Sequence, residues 1–269
     1  MGGARPKAVI EDRGELWIAK FARPDDRWNY ERVEHAMLQL ARRCGITTAE
    51  SRIETVAGKD VLLVKRFDRH GTVEGYTRIR MISGLTVLRT DDAVSNRDRW
   101  SYILLAEEMR RVVDQPKRDT CELFCRIAFN ALISNIEDHP RNHALIAPAR
   151  QWSLSPAYDL TPAPQIGQDR RDLAMVCGDK GRFANAANIF SQPARFLLEH
   201  DEAKKIITDM TEQVASIWYD TVRECGISIR DAETIRSAFV YPGFSREWEG
   251  NVGSKQRVWG ARLELTANP

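Results

Sequence analysis

Nowhere in this chain do some eighteen apolar residues run together without a charge, the length an α-helix needs to cross a bilayer. The opening Met1-Gly2-Gly3-Ala4-Arg5-Pro6-Lys7 also lacks the apolar stretch of an export signal. The expectation is a cytoplasmic protein, neither secreted nor membrane-spanning. Cysteine is sparse and odd in number: five residues, at positions 44, 121, 125, 177 and 225, without the spacing of a disulfide framework or a zinc knuckle. Cys121 and Cys125 lie one helical turn apart, yet no histidine stands at partner spacing, so buried thiols are the simpler reading. Charge of one sign is not in excess, since 40 Lys and Arg against 38 Asp and Glu leave a formal +2. That total announces no polyanion-binding surface, and no direct nucleic acid contact is expected. There is no internal repeat, low-complexity tract or long linker.

What is present suits an ordinary globular chain: 269 residues, 43% of them hydrophobic, can bury a sizeable core. The pattern changes along its length. Ala8 to Ile10 and Leu16 to Phe21 flank the charged turn Glu11-Asp12-Arg13-Gly14 and predict a hairpin. Trp28 to Arg43 carries apolar residues at helical spacing, ended by Gly45, and Val61 to Val64 reads as a buried strand. From there the chain turns polar, His70 to Arg80, and then helical. Trp100 to Val113 places Trp100, Ile103, Leu104, Met109 and Val112 on one stripe, Asp119 is a candidate cap for a helix running to about Ser134, and Asp201 for one over 202–224. Further helices are expected at about 192–199 and 231–240. Two lobes follow: residues 1–70 with strands, residues 71–269 mainly helical.

The most telling chemistry lies in Asn135-Ile136-Glu137-Asp138-His139-Pro140-Arg141-Asn142, followed by Asp159 seventeen residues after Asn142. Phosphoryl transfer needs a carboxylate beside the attacking hydroxyl, an amide oxygen five residues on for a metal ion, and a second carboxylate bridging metal and phosphates. Glu137 and Asn142 have that spacing, and a predicted hairpin of His143–Ile146 with Trp152–Leu154 returns Asp159 to the loop. Asn and Asp are most often turn residues, but their joint occurrence either side of a hairpin argues against coincidence. His139 and His143 are four apart, as in helical zinc sites, although Pro140 interrupts any helix between them. Lys20 ends an apolar strand, where it is either a surface lysine or the lysine that holds nucleotide phosphates; Glu34, in the following helix, is either solvated or its ion-pair partner. Gly2 and Gly3 could bring backbone amides to phosphate, with Lys7 adding charge.

Five segments in order, Gly2-Gly3-Ala4-Arg5-Pro6-Lys7, Trp17-Ile18-Ala19-Lys20-Phe21, Val64-Lys65-Arg66-Phe67-Asp68-Arg69, Asp138-His139-Pro140-Arg141-Asn142-His143 and Ser155-Pro156-Ala157-Tyr158-Asp159-Leu160, resemble the HipA family of toxin kinases over nearly the whole chain. The resemblance implies an α+β, two-lobed protein-kinase-like fold. It also implies an ATP- and magnesium-dependent serine/threonine protein kinase, with a DNA-binding antitoxin of HipB type as partner and a translation component such as an aminoacyl-tRNA synthetase as protein substrate. Carried over, Lys20 contacts the phosphates and Glu34 orients it, while the backbone of Lys65 to Phe67 forms the adenine hinge. Glu137 stands at the catalytic base, His139 and Arg141 at loop positions where a cation offsets developing charge, and Asn142 and Asp159 at the magnesium ligands.

Two departures accompany the resemblance. Glu137 replaces the family's aspartate, and the family's chain continues upstream of the glycine loop whereas this sequence begins inside it; either the domain is shortened or a separate protein supplies that part, and a chain that binds ATP weakly and transfers phosphate slowly or not at all is expected. Two other functions stay open: an inactive pseudokinase that binds the antitoxin, and a small-molecule kinase.

Overall fold

Arg13 and Gly14 both adopt positive φ, 52° and 76°, the geometry of a two-residue hairpin turn. Strands β1 (Lys7–Asp12) and β2 (Glu15–Phe21) therefore fold back antiparallel, with Lys7 opposite Lys20. In the computed structural model, which describes residues 5–164 and 167–248, these two join β4 (Lys59–Lys65) and β3 (Ser51–Val56) in a sheet of order β1-β2-β4-β3. Alternation along the strands gives the sheet two faces. Trp17, Ala19, Val61 and Leu63 form a small apolar cluster on one. Leu62 and Val64 join the main core on the other, against helix α1 (Tyr30–Arg43). Asn29 caps α1 by accepting from Arg32 N–H at 3.0 Å, and Gly45, at φ 84°, ends it.

The polar stretch His70 to Arg80 holds strands. It forms a second hairpin, β5 (Arg69–Thr72) with β6 (Gly75–Arg78), then β7 (Arg80–Ser83). Period-two burial is absent here because these short strands are largely exposed, which removes the signal that identifies a strand. β7 pairs with β8 (Ala144–Ala147), and β8 with β9 (Ser153–Leu154), so the link between the lobes supplies a strand beside the loop at 135–142.

Helices α2 (Gly84–Val87), α3 (Tyr102–Val112), α4 (Pro116–Leu132), α5 (Ala186–Ile189), α6 (His200–Glu224) and α7 (Ile229–Ile235) build the larger lobe. Pro116 opens α4 at its first turn, so Asp119 lies inside the helix rather than at its cap, buried and accepting from Leu154 N–H at 3.3 Å. Likewise α6 is capped by Glu199 in a reciprocal box with Glu202, and Asp201 falls in the first turn. On α3 the buried stripe is Tyr102, Ile103, Leu105, Ala106 and Met109, whereas Leu104 and Val112 are exposed. Ser101 caps the helix by accepting from Leu104 N–H, so Trp100 stands before it, and the face holding Tyr102, Ala106 and Met109 turns to the core. One apolar cluster runs without a break from Val33 in α1 through α3, α4 and α6 to Phe244. No helix among the described residues is long and apolar enough to cross a membrane.

Candidate active site

Lys20 ends β2 on the face that looks at α1, and α1 presents Glu34 from its second turn. The ammonium lies 2.6 Å from Glu34 Oε1 and 2.5 Å from Asp159 Oδ1. A strand of the small lobe, its helix and the segment after β9 thus meet at one nitrogen. Glu34 is buried and Lys20 is largely covered. Burial alone would discharge Lys20, but the two carboxylates outweigh it and raise its pKa well above the ordinary lysine value. For Glu34 desolvation dominates and lifts its pKa despite the lysine. Burial acts the same way on Asp159, yet the charge and hydrogen bond of Lys20 overcome it and hold that carboxyl below the ordinary range. Lys7, facing Lys20 across the β1–β2 ladder, adds to the positive field on both carboxylates, and His139 adds to that on Asp159.

The loop after α4 is fixed by Asp138. Its side chain is only 2% exposed, and one oxygen, Oδ2, accepts from Tyr102 Oη at 2.5 Å and Asn130 Nδ2 at 2.8 Å and lies 2.8 Å from His143 Nε2. Glu137, one residue earlier, is the opposite: 70% exposed, its carboxylate 3.0 Å from His139 Nε2. The adjacent carboxylates therefore divide the work, Asp138 anchoring the loop and Glu137 facing outward. Asn142 Nδ2 donates to the Glu137 carbonyl at 3.3 Å. His139 sits edge-on to the buried Trp100, and Arg141 pairs with Asp92 at 2.9 Å on the surface. Gly84, at the start of α2, packs so tightly on this loop that a Cβ there would lie 2.3 Å from the Pro140 carbonyl oxygen.

Asp159 itself takes φ 60°, a left-handed conformation that costs most side chains about 1–2 kcal/mol and that Asp tolerates better than most. Its approach is set by Ala157, which accepts from Ala49 N–H at 2.9 Å and donates to the Thr47 carbonyl at 2.8 Å. Asn142 carries an amide oxygen and Asp159 a carboxylate, oxygen donors of the hard type that magnesium takes along with phosphate and water. Among the described residues there is no cluster of three His, Cys, Asp or Glu that would hold a metal by itself.

Lys65 spends its side chain on Glu15 and Glu50, at 3.1 and 3.6 Å. The backbone N–H groups of Lys65 and Arg66 are taken by the Glu50 and Leu16 carbonyls, so Phe67 ends the pairing. Its ring lies 5.5 Å from that of Tyr158, whose hydroxyl donates to the Arg141 carbonyl at 2.8 Å. Tyr158 was missed in the sequence because only the fold brings residues 67, 141 and 158 together; burial and the neighbouring Asp159 push its phenol pKa up. Gly2 and Gly3 lie outside the described residues.

The family model of the HipA-like C-terminal domain matches residues 1–218. The chain belongs to that family. It is 26% identical over 245 residues to the Sinorhizobium fredii protein Y4dM, covering 84% of this chain and 57% of that one. To Y4mE of the same organism it is 23% identical over 150 residues, 55% of this chain and 36% of that one. Both carry the word kinase in their names. The HipA-like chain thus spans little more than half of the first relative and about a third of the second. Among solved structures, a chain of the Shewanella oneidensis MR-1 complex of HipA, HipB and operator DNA matches with TM-score 0.69 at 16% identity, over 88% of this chain and 62% of that one. CtkA, a proinflammatory kinase of Helicobacter pylori, matches with TM-score 0.57 at 13% identity, over 89% and 93%. The fold is α+β and protein-kinase-like, of the HipA type.

Proposed function

We propose that this HipA-like domain is an ATP- and magnesium-dependent kinase that phosphorylates serine or threonine in a protein. The observation that carries the proposal is the double contact of Lys20 with Glu34 and Asp159, which draws the strand, helix and metal-side parts of a phosphoryl-transfer site to one point. In this reading Lys20, held by Glu34, is a fixed point charge for the nucleotide phosphates. Lys7 supplements it. The backbone from Lys65 to Phe67 forms the adenine side. Asn142 and Asp159 hold the magnesium ion, which when bound neutralises charge on the phosphates. Glu137 accepts the proton of the attacking hydroxyl, and His139 and Arg141 supply positive charge beside it. Because transfer is mostly positioning and electrostatics, this small set of side chains suffices in kind.

The protein partners in this proposal are an antitoxin of HipB type, as in the Shewanella oneidensis complex, and a translation component such as an aminoacyl-tRNA synthetase as substrate. A second reading, a pseudokinase that serves as the antitoxin's binding partner, is favoured by two observations. Glu137 turns its exposed carboxylate to His139, and Arg141 is engaged by Asp92.

Calorimetry with ATP, with and without magnesium, on the wild type, Asp159→Asn and Asn142→Ala tests the site, followed by labelled-phosphate transfer into a cell lysate. Loss of the magnesium-dependent part of binding in both variants is expected. Unchanged affinity in both would remove the assignment, and magnesium-dependent binding without any transfer would favour the pseudokinase.

A further inference from the structure

Arg126, in the middle of α4, is 3% exposed and has no part in the site as described. Its Nη2 donates to the Ser155 carbonyl at 2.7 Å, to Glu122 at 2.9 Å and, more weakly, to the Thr47 carbonyl at 3.5 Å. Nη1 is buried with no hydrogen-bond partner among the described residues. A buried guanidinium with an unpaired nitrogen is a poor way to gain stability, because an apolar side chain of similar size commonly does as well or better. What the charge does here is reach across. Glu122, one turn earlier, accepts from Thr47 N–H at 3.1 Å, so the pair holds Thr47 by both its N–H and its carbonyl, and Ser155 by its carbonyl. Thr47 lies just beyond α1, which carries Glu34. Ser155 lies four residues before Asp159. The two gripped segments are themselves joined by the reciprocal bonds of Ala157 with Thr47 and Ala49.

We infer that Glu122 and Arg126 are positioning residues that set the separation of Glu34 from Asp159. What they position rests on the proposed function; the grip itself does not. Losing it lets the 155–159 segment drift from α1, and a displacement near 1 Å at a transfer site costs on the order of a hundredfold in rate.

The test uses Arg126→Met, Arg126→Lys and, as a destabilised control that removes none of the grip's hydrogen bonds, Ile207→Val in α6. Amide hydrogen exchange at Ala49 and Ala157 is measured in each, together with ATP affinity with and without magnesium. Arg126→Met should speed exchange at both amides and lose most of the magnesium-dependent gain in affinity, Arg126→Lys should recover part of each, and Ile207→Val should do neither. Unchanged exchange at Ala49 and Ala157 in Arg126→Met would overturn the grip whatever the nucleotide does. Faster exchange in a protein whose wild type shows no magnesium-dependent binding would uphold the grip and count against the kinase reading instead.

Discussion

Lys20 is the residue on which the small lobe's electrostatics turn. Its removal leaves Glu34 buried without a cation, and breaking a buried pair from one side typically costs about 3–5 kcal/mol. Lys20→Met should therefore lower unfolding free energy by about 3 kcal/mol, less than the upper figure because Asp159 is partly exposed. The double variant Lys20→Met with Glu34→Gln should recover part of that loss, and denaturant titration of the four-member cycle gives the coupling directly. If the two changes merely add, the pair does not hold the lobe together. At Glu137 the expectation concerns rate rather than stability. Glutamate is one carbon longer than aspartate, about 1.5 Å, and its carboxylate rests on His139 rather than on any part of the Lys20 cluster. Glu137→Asp should raise phosphate transfer about tenfold or more while leaving ATP affinity within twofold, as expected when only the base is moved. A rate that falls in Glu137→Asp would mean that the glutamate already fits. Asp138 admits no such freedom: with three partners on one buried oxygen, Asp138→Ala should cost about 3–5 kcal/mol in stability, read as a large fall in thermal midpoint.

The elements show which parts of this architecture are legible in sequence. The first hairpin, α1, α4 and the β8–β9 hairpin are legible because each carries a burial period or a turn within its own span. The Lys20–Glu34 pair is legible from the order of strand and helix. What fails is whatever lacks a burial period or gets its role from the fold. β3 and the β5–β6 hairpin pair with strands close in sequence, but their residues are largely exposed and carry no period-two burial. Asp119 and Asp201 look like caps because the real cap positions, Gln115 and Glu199, are uncommon ones. Asp60 is another case, ordinary in sequence and a junction in the fold. It accepts from Arg32 Nε at 2.6 Å, Asn29 Nδ2 at 2.7 Å and Thr55 Oγ1 at 3.0 Å, tying the start of α1 to β3 and β4. The Arg32 hydrogen bond, together with Asn29 and Thr55, holds its pKa below the ordinary value even though burial opposes it. A depressed carboxyl contributes stability that is complete above its unfolded pKa, about 3.9, and is lost as pH falls through the lower folded value. Asp60→Asn should thus be less stable than wild type at pH 7, and the gap should narrow as the pH is lowered below about 4. Urea midpoints at pH 7, 4 and 3 measure it; a gap independent of pH would show that the Asp60 charge contributes nothing.

At the scale of the whole molecule, the question is whether the two lobes are two folding units. The active-site reading divides the chain near residue 70, but the apolar core does not. Val33, Ala36, Met37, Leu40 and Ala41 of α1 belong to the same cluster as Ile207, Val214 and Trp218 of α6. The other side of the small sheet offers only Trp17, Ala19, Val61 and Leu63 as an apolar group of its own. A lobe of about 70 residues whose helix faces its neighbour retains too little apolar surface to fold alone, given how marginal even complete domains of that size are. Polar links run the same way: Arg43 reaches Thr221 and Glu224 of α6, and Arg32 donates to the Cys225 carbonyl. The whole chain should therefore unfold in one cooperative transition, with far-ultraviolet circular dichroism and tryptophan fluorescence giving coincident denaturant curves. Trp17 in the small sheet and Trp218 in α6 make the fluorescence sensitive to both lobes. A fragment of residues 1–70 made alone should show little ordered structure. Two separated transitions, or a folded fragment, would mean that the lobes are independent domains and that α1 packs on α6 only as one domain docks on another. In that case nucleotide binding could close the lobes by hinge motion at little energetic cost. With the continuous core, Lys20 and Asp159 are instead held together before any nucleotide arrives, and opening the site means disturbing the α1–α6 packing itself.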